Sequence, residues 1–440
     1  MAPNHAGKRF PKPHLNDKLS NLVFNANAAS GPWQEYNFAP ESRTQFPQEI
    51  FATEGNVQKA SSVLGERHGE MTLSGKDALI TFDFYVNTCG MITLDFGELS
   101  APGQQVSIAF SESKAFVGRG SDRSMDFHVE DGALSVAVDG HGTWTCPDAQ
   151  QRGAFRYVTL YMETSGTVEI CSVKTYNNMM PSMGNDLRQY PGFFFGDDEF
   201  LNTIWYAGAY TLQLATIPTG TGRRSDWVHK KVGWANDVPA ALDGTLEVLT
   251  DGARRDRTVW SGDRALSTLT NYIALNNKIS TKNGVDWIFK YQTDEGVFPY
   301  ACPPIWHYGS DSYHLWTYVS LYNAYFFDGG DDAKDWVRQK WPAVKRGMEY
   351  ALQKIDDTGL LKVTMPLDWG RHPLKGHNLE VQGILYFSLQ KCGELAADVM
   401  GDEILAKNWS TLATSVKNVS WESLTCPSAY FPGGQPAFME

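Results

Sequence analysis

Residues 249–263 read LTDGARRDRTVWSGD. From position 251 onward this stretch holds Asp251, Asp256 and Asp263, then Arg254, Arg255 and Arg257, with Trp260 and two glycines between them. Carboxylates accept hydrogen bonds from hydroxyls, arginines keep neighbouring carboxylates ionised, and an indole offers an apolar face for stacking. The combination fits a pocket for a polyhydroxylated ring. It also fits a solvated, salt-bridged turn ahead of a helix, and composition alone leaves both readings open.

On either side of this stretch the hydrophobic period differs. From about 46 to 180 it is two. Ile80, Phe82 and Phe84 alternate with polar residues, and so do Ile92, Leu94 and Phe96. Val106, Ile108 and Phe110 repeat the pattern, followed by Leu134, Val136 and Val138, by Val158, Leu160 and Met162, and by Val168 and Ile170. Turns rich in Gly, Asp and Ser separate the runs, which predicts an antiparallel β-sandwich. Near residue 193 the period becomes helical. Asp197, Asp198 and Glu199 place negative charge at a helix start, and Phe200, Leu201, Ile204, Trp205 and Leu212 predict its buried face. Asp263 is read as the cap of the next helix, with Leu266, Leu269, Tyr272 and Ile273 on its face. Further helices are predicted near 284–292, 311–327, 332–355, 377–399 and 402–418, with Asp311 as an N-cap and Pro342 dividing the third of them or starting its second half. Helices joined by long loops without intervening strands mean a bundle or toroid.

The spacing D-x-x-x-R-[D/E]-R-x-x-W-x-G-D is filled by Asp251, Arg255, Asp256, Arg257, Trp260, Gly262 and Asp263. It resembles the signature of the α-L-rhamnosidases of glycoside hydrolase family 78, and the Asp-Gly opening with Asp at the sixth position looks like the fungal form. The phrases LDFGELSAPGQ (94–104), FSES (110–113), RGAFRYVTLYM (152–162) and GFFFGDDEFLNTIWYAGAYTLQL (192–214) resemble the same family. The resemblance implies a jelly-roll-like N-terminal β-sandwich followed by an (α/α)6 toroid of six hairpins. The expected division is an arm over 1–45, the sandwich over 46–185 and the glycosidase-like domain over 190–440. Seven helices are readable where six hairpins need twelve, and residues 426–440 (CPSAYFPGGQPAFME) break the helical pattern. The chain therefore reads as an incomplete toroid, cut short at its C-terminus.

The resemblance also implies chemistry. Inverting glycoside hydrolysis pairs a carboxylic acid that protonates the leaving oxygen with a carboxylate that activates water on the opposite face. It assigns the acid to Asp256 and the holding of sugar hydroxyls and ring to Asp251, Arg255, Trp260 and Asp263. Arg255 would lower the Asp256 pKa while burial and Asp251 would raise it, and the second influence must win for Asp256 to arrive protonated. Asp368 and Trp369, within PLDWGRH (366–372), resemble the family segment that adds substrate contacts, although the pair also fits an ordinary turn. Trp306, His307, Asp311 and Trp316 resemble pocket walls. Glu422, beside Trp421, is the tempting late carboxylate for the base, and its position argues against that role.

Other features bound the function. Fifty acidic against 38 basic residues give a net charge of −12, which disfavours a nucleic-acid partner. The chain has no apolar run of transmembrane length and no leader-like N-terminus, so a cytoplasmic protein without a membrane partner is expected, or a secreted one if the N-terminus is misassigned. Six dispersed cysteines show no ligand spacing, and no cofactor or metal is expected. There is no GxSxG elbow, P-loop or HExxH. The expected function is release of terminal L-rhamnose from a glycoside or glycosylated small molecule. The alternatives are a non-catalytic relative that binds sugar or a partner, and a truncated pseudoenzyme without a general base. An unclosed ring would leave apolar faces bare, so at most weak hydrolysis and association between copies are expected.

Overall fold

The computed structural model describes residues 31–123, 131–224, 235–369 and 374–424. Most of the expected N-terminal arm, residues 370–372 of the Asp-Trp segment, and residues 425–440 lie outside that set, as does the side chain of Glu422.

Eight strands form the N-terminal sheet: β1 (Thr44–Gln45), β2 (Glu49–Gln58), β3 (Met71–Leu99), β4 (Gln104–Ser111), β5 (Leu134–Val138), β6 (Gly142–Thr145), β7 (Arg152–Met162) and β8 (Thr167–Tyr176). All pairings are antiparallel. The runs around 80–84 and 92–96 belong to one long strand, β3, which serves two layers. Its 79–83 segment lies between β2 and β7, whereas its 91–99 segment lies between β6 and β8. Tyr85 (φ 68°) and Gly90 (φ 102°) make the bend between them. The sheet thus folds back on itself around a core that contains every period-two residue named above.

A short hairpin, β9 (Thr216–Pro218) with β10 (Glu247–Leu249), sits among seven helices in the described residues. These are α1 (Glu199–Ala215), α2 (Ser261–Thr270, extended by a π turn over Asn271–Leu275), α3 (Lys278–Lys290), α4 (Asp311–Asp328), α5 (Gly330–Leu352), α6 (Leu379–Asp398) and α7 (Glu403–Leu424). Helix α2 packs against α4 and α4 against α6, while α3, α5 and α7 return as the second member of each hairpin. Three hairpins preceded by α1 make an arc of the six-hairpin arrangement. None of the described helices is long and apolar enough to cross a membrane.

Several local expectations are corrected. Asp198 caps α1 as the charge pattern requires, accepting from the Phe200 and Leu201 amides. The face of α1 is another matter. Phe200, Leu201 and Ile204 are exposed, and the buried side carries Asn202, Tyr206, Ala209, Tyr210 and Gln213. Asn202 and Gln213 tolerate burial because their amides bond to Gly196 and to the Leu187 carbonyl. In α2 the same inversion leaves Leu266, Leu269 and Ile273 outside and only Tyr272 of the expected face inside. Asp263 does not cap α2: the cap position is Trp260, and Asp263 lies in the first turn. Ser310, not Asp311, caps α4, with its hydroxyl accepting from the Tyr313 amide. Pro342 does not divide α5, which runs unbroken through it. The ring sits on the solvent side, and burial of Trp336, Val337, Trp341, Val344 and Met348 on the other side outweighs a proline cost of roughly 3 kcal/mol. Finally, α7 continues past 418 through Leu424.

Candidate active site

Strand β10 delivers the charged stretch to the start of α2. The loop between them is closed by the Asp251 amide donating to the Thr258 carbonyl (3.0 Å) and by the Thr258 amide donating to Asp251 Oδ1 (3.1 Å). Inside it, Asp256 (φ 55°) and Arg257 (φ 47°) both adopt the left-handed conformation, unfavourable for residues with a Cβ by about 1–2 kcal/mol each. The buried Arg257 holds the turn: Nε donates to the Thr221 carbonyl (3.0 Å), Nη2 to Thr221 Oγ1 (2.9 Å) and Nη1 to the Ala253 carbonyl (2.5 Å). Burial lowers its guanidinium to about 10, which still leaves it charged at neutral pH.

The sandwich supports this loop from behind. Arg254 Nε pairs with Glu112 Oε2 at 2.5 Å, just past the end of β4. Gly153 of β7 lies so close to the loop that a Cβ there would meet the Ala253 carbonyl oxygen at 1.9 Å. The three arginines therefore divide their work: Arg254 reaches the sandwich, Arg257 the loop interior, and Arg255 stands 5.2 Å over the ring of Trp369.

Asp256 is buried, and its charge is felt by the two other carboxylates. Burial first, and then the Asp256 charge, hold the Asp251 carboxyl well above the ordinary range. The same causes push Asp263 up to about 6, against the opposing effect of a hydrogen bond from Tyr313. Three carboxylates thus share one site in which two retain protons unusually well. Trp260 sets its ring edgewise to Tyr300 (4.8 Å, 88°) and Tyr313 (6.3 Å), which meet each other at 4.5 Å. Trp260 Nε1 is buried without a hydrogen-bond acceptor among the described residues. Gly262 is explained by Tyr313: a Cβ at 262 would lie 2.6 Å from its ring.

The raised Asp263 carboxyl has a stability consequence. Between about pH 4 and 6 the folded chain retains a proton that the unfolded chain has released. Stability therefore falls as pH rises through that window, by on the order of 2–3 kcal/mol from Asp263, and Asp251 extends the fall upward. Asp263→Asn is expected to flatten this slope and to raise the denaturation midpoint at pH 7. An unchanged slope in urea titrations at pH 4.5 and 7 would refute it.

The later residues divide. Asp368 is fully buried and accepts from the Ser312 hydroxyl, whereas Trp369 is 56% exposed against Arg255. Of the expected walls, His307 pairs with the Ala301 backbone beneath the Tyr300 ring, and burial lowers its imidazole pKa. Trp306 lies 5.2 Å from Tyr291, and Trp316 packs into the helical core. Asp311 is committed elsewhere, pairing with Lys354 and accepting from the Thr364 and Met365 amides (2.8 and 3.0 Å). Tyr300 and Tyr313 were not singled out in the sequence. No local signal marked them: that Gly262 leaves room for the Tyr313 ring is visible only in the folded packing.

Residues 226–429 match the family model for the bacterial alpha-L-rhamnosidase 6 hairpin glycosidase domain. No curated protein matches the chain. Among solved structures, a rhamnosidase from Klebsiella oxytoca with rhamnose bound is 17% identical with a TM-score of 0.64, over 90% of this chain and 73% of that one. A GH78 rhamnosidase of Bacillus sp. GL1 is 16% identical with a TM-score of 0.62, over 82% of this chain but 34% of that one. The α-L-rhamnosidase from Aspergillus terreus is 15% identical with a TM-score of 0.53, over 92% and 42%. At such identities the likeness is one of fold, and the chain spans well under half the length of the latter two. In family match and in fold, then, the chain is rhamnosidase-like, an antiparallel sheet followed by helices of the six-hairpin glycosidase type.

Proposed function

We propose that the chain is an inverting glycosidase that releases terminal L-rhamnose from a glycoside, with Asp256 as the general acid. The observation that supports this most is the gathering of Asp251, Asp256 and Asp263, with proton affinity raised at Asp251 and Asp263, joined to the Trp260–Tyr300–Tyr313 cluster through the Tyr313 bond to Asp263. A neutral carboxyl donates to a sugar oxygen where an ionised one accepts only, so the carboxyl set can both donate to and accept from vicinal hydroxyls. The aromatic edges supply an apolar side for the deoxy methyl face of the ring, and Arg255 over Trp369 closes the site from the later loop. The Trp260 indole N–H is a donor placed in the same aromatic cluster.

Binding and turnover are separate readouts, because turnover needs in addition a carboxylate base roughly 6.5–9.5 Å from the acid. Calorimetric titration with L-rhamnose tests the first. Trp260→Ala and Asp251→Ala are each expected to weaken binding by on the order of 1–3 kcal/mol, through lost stacking and lost hydrogen bonds respectively. Equal affinity in wild type and both variants would reduce the motif to a salt-bridged turn.

A further inference from the structure

The carboxylate loop lies at the N-terminal end of α2. At the opposite end of the same helix, Gly192 donates to the Ala274 carbonyl (3.0 Å), so close that a Cβ at 192 would stand 2.2 Å from that oxygen. Beside this contact is a cavity of ≈ 270 Å³, lined in part by Trp33, Asn37, Glu41, Arg188, Gln189 and Phe193. From 263 to 274 the helix rises roughly 16 Å, so the cavity is separate from the carboxylate site.

We propose that this cavity is a second carbohydrate-binding site, taking one unit of a neutral saccharide. Phe193 stacks nearly parallel on Trp33 (4.4 Å, 15°); Trp33 is buried, whereas Phe193 keeps 43% of its surface exposed. A flat ring backed by an immobile one is a rigid platform for the C–H face of a sugar. Planar amide, carboxylate and guanidinium groups surround it, the set that bonds pairs of vicinal hydroxyls. They are held in place beforehand: Arg188 bonds to Glu41 (2.7 Å) and to the Ala39 carbonyl (2.6 Å), and Gln189 bonds to Asp186 (2.8 Å). Tyr190, 9% exposed, lines the same cavity, and its hydroxyl has no hydrogen-bond partner among the described residues. Its neighbour Tyr206 already receives the Phe194 amide. Two carboxylates, Glu41 and Asp186, against the Arg188 cation make phosphate or sulfate groups unwelcome and favour an uncharged polyol.

The site is tested in the Asp251→Ala/Trp260→Ala double variant, so that sugar held by the carboxylate loop does not contribute. Saturation-transfer NMR and calorimetry with methyl α-L-rhamnopyranoside and methyl α-D-glucopyranoside are expected to show saturable binding of at least one of them in that background. Adding Phe193→Ala, or separately the exposed Gln189→Ala, should weaken that binding roughly five- to tenfold while the circular dichroism spectrum stays the same. Absence of saturable binding of both glycosides to the folded double variant overturns the proposal. So does binding that neither Phe193→Ala nor Gln189→Ala alters. Neither result bears on whether the carboxylate loop binds rhamnose, which the single variants report.

Discussion

Asp256→Asn is expected to lower turnover of an alkyl or flavonoid α-L-rhamnoside by about 10²- to 10⁴-fold, the usual share of a general acid. The fold should survive, because the left-handed turn at 256 is held by backbone and Arg257 contacts, and Asn adopts that conformation at least as readily as Asp. The loss should depend on the leaving group. A nitrophenolate departs without a proton, so the nitrophenyl rhamnoside should suffer far less than the alkyl one. Equal losses on both substrates would mean that Asp256 positions the sugar rather than protonates it, and no loss on either would remove it from the site.

The sequence carried the sheet well and the faces of α1 and α2 poorly, for one physical reason. In a sandwich strand, apolar side chains alternate inward, and the runs from Ile80 to Ile170 all proved buried. In α1 and α2 the inward positions include Asn202, Gln213, Arg264 and Thr268 beside Tyr206, Tyr210 and Ala265, while Phe200, Leu201, Ile204, Leu266 and Leu269 stand outside. A hydrophobic count cannot see a buried amide whose bonds come from a distant loop, as Gln213 finds the Leu187 carbonyl. The candidate site was legible as a set of types and spacings within one loop. Illegible were its long-range partners: Glu112 behind Arg254, Gly153 against Ala253, and Tyr313 over Gly262. Trp369 reaches Arg255 across more than a hundred residues, and the resemblance had put both at the substrate without showing that they touch.

Asp311 shows what such long-range bonds are worth, and its removal carries the largest expected cost in stability. Its side chain is 3% exposed and that of Lys354 8%, so each ion has surrendered its water to the other. Oδ2 also accepts the Thr364 and Met365 amides, and the Asp311 amide donates to the Met365 carbonyl. Asp311→Ala would strand a buried ammonium and two backbone donors, at a cost of about 3–5 kcal/mol. The loop from 364 to 369 would keep the Asp311 amide bond to Met365 but lose its two bonds to the Asp311 carboxylate, which loosens the placement of Asp368 against Ser312 and of Trp369 against Arg255. Weaker rhamnose binding should therefore accompany the lowered denaturation midpoint. The double variant Asp311→Asn/Lys354→Met separates the two effects. It removes both charges yet keeps an acceptor for the amides, so most of the stability and of the binding should return. If the double variant remains as unstable as Asp311→Ala, the cost lies in neither the stranded charge nor the amides. If binding is unchanged in Asp311→Ala while the midpoint falls, the loop bearing Trp369 takes no part in holding the sugar.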